Sequence, residues 1–198
     1  MSKEKFQNEF LDLIGELGNM TFGSASTALS VMVNQEIDIS TPKVEIVNKE
    51  ELFRSYPSPY VLAEVEYSEG LEGHNVLILD PRDAAVIASL MMGEDGSIEE
   101  NFELGELELS AVQEVMNQMM GSASTAMSDF LNVTIDIKPP NLSYVEVHNE
   151  ELINELFPDT YIIKVAFDLK IGNLVHSKIM QVINIPFAKQ LASELLGI

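Results

Sequence analysis

GELGNMTFGSASTALS at 15–30 returns as QEVMNQMMGSASTAMS at 113–128, an offset of 98 residues. Between 16 and 39, 13 of 24 positions match their counterparts 98 residues later, so the chain reads as one unit built twice. The echo continues past the shared GSAST. Asn34 and Ile37-Asp38-Ile39 return as Asn132 and Ile135-Asp136-Ile137, Pro42 returns as Pro140, and VNKEEL (47–52) returns loosely as VHNEEL (147–152). IASLMMG (87–93) also resembles LASELLG (191–197). Two repeats are too few for a solenoid. The expectation is a single pseudo-two-fold α/β (α+β) domain made of repeats 5–93 and 106–197, joined by an acidic connector at 94–105.

Each half carries the same order of elements. A long helix is expected over 5–33 and over 106–131. A strand follows at 36–47 and 134–147, where IDISTPKVEIV and IDIKPPNLSYVEV alternate apolar with polar residues. Pro42 and Pro140 interrupt these runs, which places a bend or a sheet edge there. A short helical turn at EEL precedes two paired strands, 60–67 with 74–80 and 160–169 with 173–184, joined by SEGLEG and KIGN. A helix closes each half at 82–92 and 187–196, entered through Pro81 and Pro186. GEDGSIEENFELGELE (93–108) holds seven acids and no base and reads as a solvated connector.

Composition narrows the function. The 198 residues include 32 acidic and 11 basic side chains, a formal net charge of -21. Binding nucleic acid through its phosphates needs the opposite sign, and an anionic membrane surface repels such a chain as well. With no cysteine, disulfides, thiolate metal sites and cysteine nucleophiles are excluded. His74, His148 and His176 stand far apart, so no metal site is expected. GSAST lacks the lysine of a phosphate-binding loop and lies mid-helix. Met91, Met92, Met116, Met119 and Met120 read as adaptable core filling. No signal peptide and no membrane span is evident, which reads as a soluble cytoplasmic protein.

On a helical wheel, Phe6, Phe10, Leu13, Leu17, Thr21, Ala28 and Val31 form an apolar stripe. Asp12, Glu16, Asn19, Gly23, Ser26 and Ser30 form a second face roughly 130° away. The second helix repeats that face as Ser110, Glu114, Asn117, Gly121, Ser124 and Ser128. An exposed Glu and Asn are most often only solvated, and small residues at this spacing most often mean close packing. The copies differ on the core side, where Leu17 becomes Val115, Phe22 becomes Met120 and Leu29 becomes Met127. They stay identical at Glu, Asn and Gly. That contrast favours a functional face.

The pattern [D/S]-x3-E-x2-N-x22-P is met twice, by Asp12, Glu16, Asn19 and Pro42 and by Ser110, Glu114, Asn117 and Pro140. It resembles the CheC/CheX/FliY family of chemotaxis phosphatases over essentially the whole chain, with wording most similar to the flagellar motor switch branch. The resemblance implies two motif helices side by side on an extended, mostly antiparallel sheet. It implies hydrolysis of the aspartyl phosphate of a CheY-type response regulator, with Mg²⁺ brought by that substrate and no cofactor of the chain's own. Catalytic positions are then Glu16, Asn19, Glu114 and Asn117. Each Asn is expected to position the attacking water and each Glu to pair with a lysine of the partner. Asp12 and Ser110 are expected to cap or support the helix face, Gly23 and Gly121 to give clearance, and the prolines to be structural. Further partners implied are the switch proteins FliM, FliN and FliG, at the cytoplasmic face of the flagellar basal body. A FliN-like C-terminal domain, usual in that branch, is expected to be missing from these residues. The competing readings are a non-catalytic scaffold of the switch and a free CheC-like regulator.

Overall fold

The computed structural model describes residues 3–197, with side chains from Gln7 onward. The first half runs α1 (Lys3–Val33), β1 (Ile37–Ile39), β2 (Lys43–Asn48), α2 (Lys49–Ser55), β3 (Tyr60–Glu69), β4 (His74–Leu79) and α3 (Pro81–Met91). The second half repeats it as α4 (Glu106–Leu131), β5 (Asp136–Ile137), β6 (Asn141–Val145), α5 (Glu150–Leu156), β7 (Tyr161–Ile171), β8 (Val175–Asn184) and α6 (Ile185–Leu196). The expected strands at 36–47 and 134–147 are each broken in two around Pro42 and Pro139–Pro140, since proline cannot donate to a ladder. Local chemistry explains the helix ends. Asn48, Asp80, Asn149 and Asn184 each accept backbone N–H bonds at a helix start, and Pro81 and Pro186 occupy first turns. Asn34 and Asn132 both adopt positive φ, 51° and 54°, the left-handed exit that asparagine tolerates. That geometry accounts for the repeated asparagine.

The sheet is antiparallel, in the order β1-β7-β8-β4-β3-β5, with β2 also on β7 and β6 also on β3. Its centre joins β4 to β8, with Asn75 opposite Ile183 and Ile78 opposite Met180. The edges are exchanged between halves. Strands β1 and β2 of the first half pair with β7 of the second, and β5 and β6 of the second pair with β3 of the first. Each half therefore completes the other's sheet.

Alternation along the central strands builds two cores. Val61, Ala63, Val65, Leu77 and Leu79 point to the α1, α4 and α6 side, joined by Ile163, Val165, Phe167 and Leu169. Tyr60, Leu62, Val76, Ile78, Ile162 and Val182 point the other way, under α2 and α5, with Phe53 and Phe157. Phe22 of α1 stacks on Phe167 at 4.1 Å between ring centroids. A Cβ added at Gly18 would lie 3.3 Å from that phenylalanine, so glycine there seats α1 close to β7. The methionines of α4 (Met116, Met119, Met120) are buried as expected, while Met92 is exposed.

The buried arc of α1 lies further round than the expected stripe. Ile14, Leu17, Thr21, Phe22, Ala25, Leu29 and Val33 are buried, whereas Val31 is 78% exposed and Leu13 only half-buried. Phe6 lies outside the described side chains. The cause is packing on two sides, because α1 meets the sheet below and α4 beside it, and the arc centres between them. The connector is acidic and mostly exposed, yet it is pinned. Gly96 is buried, Ile98 and Leu104 pack on the core, and Arg82 donates to the Ile98 carbonyl.

Two titrating groups tie the halves together. Glu45 of β2 bonds Lys164 of β7 at 2.8 Å and Lys43 at 2.9 Å, which holds its carboxyl down at about 2. That stabilisation is present above the ordinary glutamate range and fades as pH falls toward 2. Asp83, buried in the first turn of α3, accepts from Ser177 of β8. Burial pushes its carboxyl up to about 6, partly opposed by the Ser177 bond. A raised carboxylate pKa means the folded state binds the proton more tightly than the unfolded chain, so this group's penalty grows between pH 4 and 6 and is full above 6. Asp83→Asn keeps an acceptor for Ser177, and is expected to stabilise the protein by about 1–2 kcal/mol at pH 7.5 and by little at pH 4. Urea melts at the two pH values check this.

Candidate functional site

The two motif helices meet at the duplicated serines. Ser24 Oγ lies 2.7 Å from Ser122 Oγ, and each hydroxyl lies 3.2 Å from the other's carbonyl. Those residues are equivalent in the two repeats, so the pseudo-two-fold axis passes between them. It also passes between antiparallel β4 and β8, normal to the sheet, and such an axis reverses direction. The helices α1 and α4 therefore run in opposite senses. Of the GSAST residues, it is Ser24 and Ser122 that make this close crossing. Ser30 and Ser128, on the same helices, bond the carbonyls of Gln35 and Ile135 and tie down the turns that follow.

Opposite the buried arc of α1, Asp12, Glu16, Asn19 and Gly23 are all exposed. On α4, Ser110 and Glu114 are exposed, Asn117 and Gly121 are half-buried, and Ser124 is buried. Asn19 precedes Ser24, and Asn117 precedes Ser122, by the same five residues, about 7 Å of helix on either side of the axis. The fold thus presents two separate Glu-x2-Asn faces outward. It does not merge them into one site.

The first face borders an open cleft of about 370 Å³ between α1 and the β1–β2 turn. Leu11, Asp12, Gly15, Glu16, Asn19, Thr41, Pro42 and Val44 line it. Three polar side chains of the sequence pattern and its distant proline are therefore brought together. Among the described residues, no hydrogen bond or ion pair engages Asp12, Glu16 or Asn19. At the second face Gln118 Nε2 donates to Glu114 Oε1 at 3.0 Å, and Gln113 Nε2 donates to the Pro140 carbonyl at 2.9 Å.

The capping half of the expectation for Asp12 and Ser110 is corrected. Asp12 lies well inside α1, and α4 begins with Gly105 as its N-cap, so neither side chain can reach the orphan N–H groups of a helix start. Both sit on the exposed face. At Gly23 and Gly121 an added Cβ would meet nothing within 4 Å. In each copy the glycine carbonyl accepts from the serine three residues on and the threonine four on. Gly15, Thr41, Gln113 and Gln118 were not singled out from the sequence. The signal for two of them was present, since the repeated stretches begin with Gly15 in one copy and Gln113 in the other.

Among the described residues no group of three or more His, Asp or Glu is placed to hold a metal ion, and no helix is long and apolar enough to cross a membrane. His74 Nδ1 lies 2.7 Å from Glu64 Oε1.

A model of the CheC-like family matches residues 9–46 and 107–144, one match on each helix–strand unit. The flagellar motor switch phosphatase FliY of Bacillus subtilis is 47% identical over 186 residues, 94% of this chain and 49% of that protein. The CheY-P phosphatase CheC of the same organism is 27% identical over 143 residues, covering 69% of this chain and 67% of that one. The crystal structure of Thermotoga maritima FliY superposes with a TM-score of 0.87 at 38% identity, covering 96% of each chain. The chain spans about half the length of its B. subtilis FliY relative.

Proposed function

Because the chain belongs to the CheC-like family, we propose that it hydrolyses the aspartyl phosphate of a CheY-type response regulator at the flagellar motor switch, with FliM, FliN and FliG as its neighbours there. The observation that carries this reading is the pair of outward Glu-x2-Asn faces set symmetrically about the Ser24–Ser122 crossing. The names of the relatives supply the substrate class, and the residues supply a chemistry that fits it.

An aspartyl phosphate is already activated, and the receiver brings its own Mg²⁺ and phosphoryl pocket. What remains is to hold a water in line with phosphorus. The carboxamide oxygen of Asn19 or Asn117 accepts a hydrogen bond from that water, and the amide NH₂ donates to a phosphoryl oxygen. No negative charge is added to an anionic centre. Water attacks phosphorus, the bond to the aspartyl oxygen breaks, and the carboxylate leaves with the electron pair while inorganic phosphate is released. A carboxylate aimed at the phosphoryl group would repel it, so Glu16 and Glu114 dock the partner by pairing with a lysine beside its phosphoryl group. The charge of -21 adds a long-range pull on a basic face.

Docking and chemistry separate in kinetics. Glu16→Gln with Glu114→Gln is expected to raise the half-saturating concentration of phosphorylated receiver about tenfold, the scale of one lost charge-assisted bond. The rate at saturation should stay within about twofold of wild type, because uniform binding alone is lost. A fall in the saturated rate at unchanged half-saturation would assign the glutamates to the chemical step instead.

A further inference from the structure

The two faces share Glu and Asn but differ immediately beside them. Gly15 precedes Glu16, whereas Gln113 precedes Glu114; Met20 follows Asn19, whereas Gln118 follows Asn117. In the first half the missing side chain leaves the cleft between α1 and Pro42 open. Packing does not demand glycine there, because an added Cβ would rest 3.4 Å from Val44, an ordinary contact. A glycine inside a helix costs about 1 kcal/mol relative to alanine. In the second half Gln113 spans the equivalent interval and bonds the carbonyl of Pro140, the counterpart of Pro42, at 2.9 Å. Gln118 then occupies Glu114 at 3.0 Å, while among the described residues nothing occupies Glu16. Met20 has no N–H to offer in Gln118's place.

We propose that the two sites are unequal: the first is the open, working site, and Gln113 and Gln118 are positioning residues that hold the second closed. This rests on the phosphatase reading above. A receiver lysine finds Glu16 unengaged but must displace Gln118 to reach Glu114. A receiver loop that enters beside Gly15 meets the Gln113 side chain on the opposite helix.

The test uses a receiver phosphorylated with acetyl phosphate for rates, and the same receiver carrying beryllium fluoride for binding. Asn19→Ala is expected to lower the rate about fivefold or more and Asn117→Ala by less than about twofold, the difference set by one net hydrogen bond at the closed site. Adding Gln113→Ala and Gln118→Met to Asn19→Ala should recover about fivefold through a lower half-saturating concentration. Neither change introduces a helix breaker, and circular dichroism melts check that the variants fold. Equal losses in the two asparagine variants, or no recovery, overturn the inequality. Binding reads it without turnover. Wild type should show one tight and one weaker equivalent of beryllium fluoride receiver, and the glutamine variant two alike. Two alike in wild type sink the proposal, whereas unequal binding with no acceleration of phosphate loss keeps the inequality of docking and overturns the working role of the first site together with the phosphatase reading beneath it.

Discussion

Replacing Asn19 and Asn117 together with alanine is expected to bring phosphate loss from the receiver down to the receiver's own rate, a fall of about 10²-fold or more. The size follows from the task. A water held in line by a carboxamide loses its only positioning group on this side of the reaction when that group becomes a methyl, and small misplacements are costly in such steps. Stability should hardly move. Asn19 is exposed and Asn117 half-buried, neither has a hydrogen-bond partner among the described residues, and surface changes of this type stay within about 0.5 kcal/mol. Binding of the beryllium fluoride receiver should persist, since Glu16 and Glu114 remain. A stopped-flow rate and a thermal melt on one preparation check both parts. Full activity in the double variant would remove the asparagines from the mechanism.

Gly23→Ala with Gly121→Ala is expected to move stability and activity in opposite directions. Each glycine sits inside a helix, where alanine is better by about 1 kcal/mol, and the added methyl meets nothing within 4 Å. The double variant should therefore gain about 2 kcal/mol, several degrees of Tm for a chain of this size. Nothing within the chain requires glycine at these two places, and both lie one turn beyond the asparagines on the outward faces. Their bare backbone suits close approach by the partner, so the same variant should bind phosphorylated receiver about tenfold more weakly, the scale of one blocked close contact. A gain in stability with unchanged docking would leave the glycines without a functional explanation.

Much of this fold is legible in the sequence because its strongest signals are local. The second motif helix runs Glu106–Leu131 as the periodicity predicts, and Pro42 and Pro140 mark real breaks. The asparagine exits at 34 and 132 were visible as repeated residues. Two features are not local. The edge exchange, in which β2 pairs with β7 and β6 with β3, depends on contacts between distant segments, and both partners have the same alternating pattern. The buried arc of α1 depends on α4 as a second neighbour, which a single-stripe wheel does not contain. The site divides in the same way. That Glu16 and Asn19, and Glu114 and Asn117, share a face follows from helical spacing and their reading as a site from the family resemblance, while the cleft at Gly15 and the Gln113–Pro140 bond at its counterpart emerge only when Pro42 and Pro140 fold back beside the helices.

The most direct measurement is the time course of inorganic phosphate released from a pre-phosphorylated CheY-type receiver, with the chain added at about one-tenth of the receiver's concentration. True turnover predicts faster release that runs on to all of the receiver, several equivalents per chain, and that disappears with the paired asparagine-to-alanine change. Release at the receiver's own rate, with a stable complex formed, would contradict catalysis and make the two Glu-x2-Asn faces docking surfaces of a switch component.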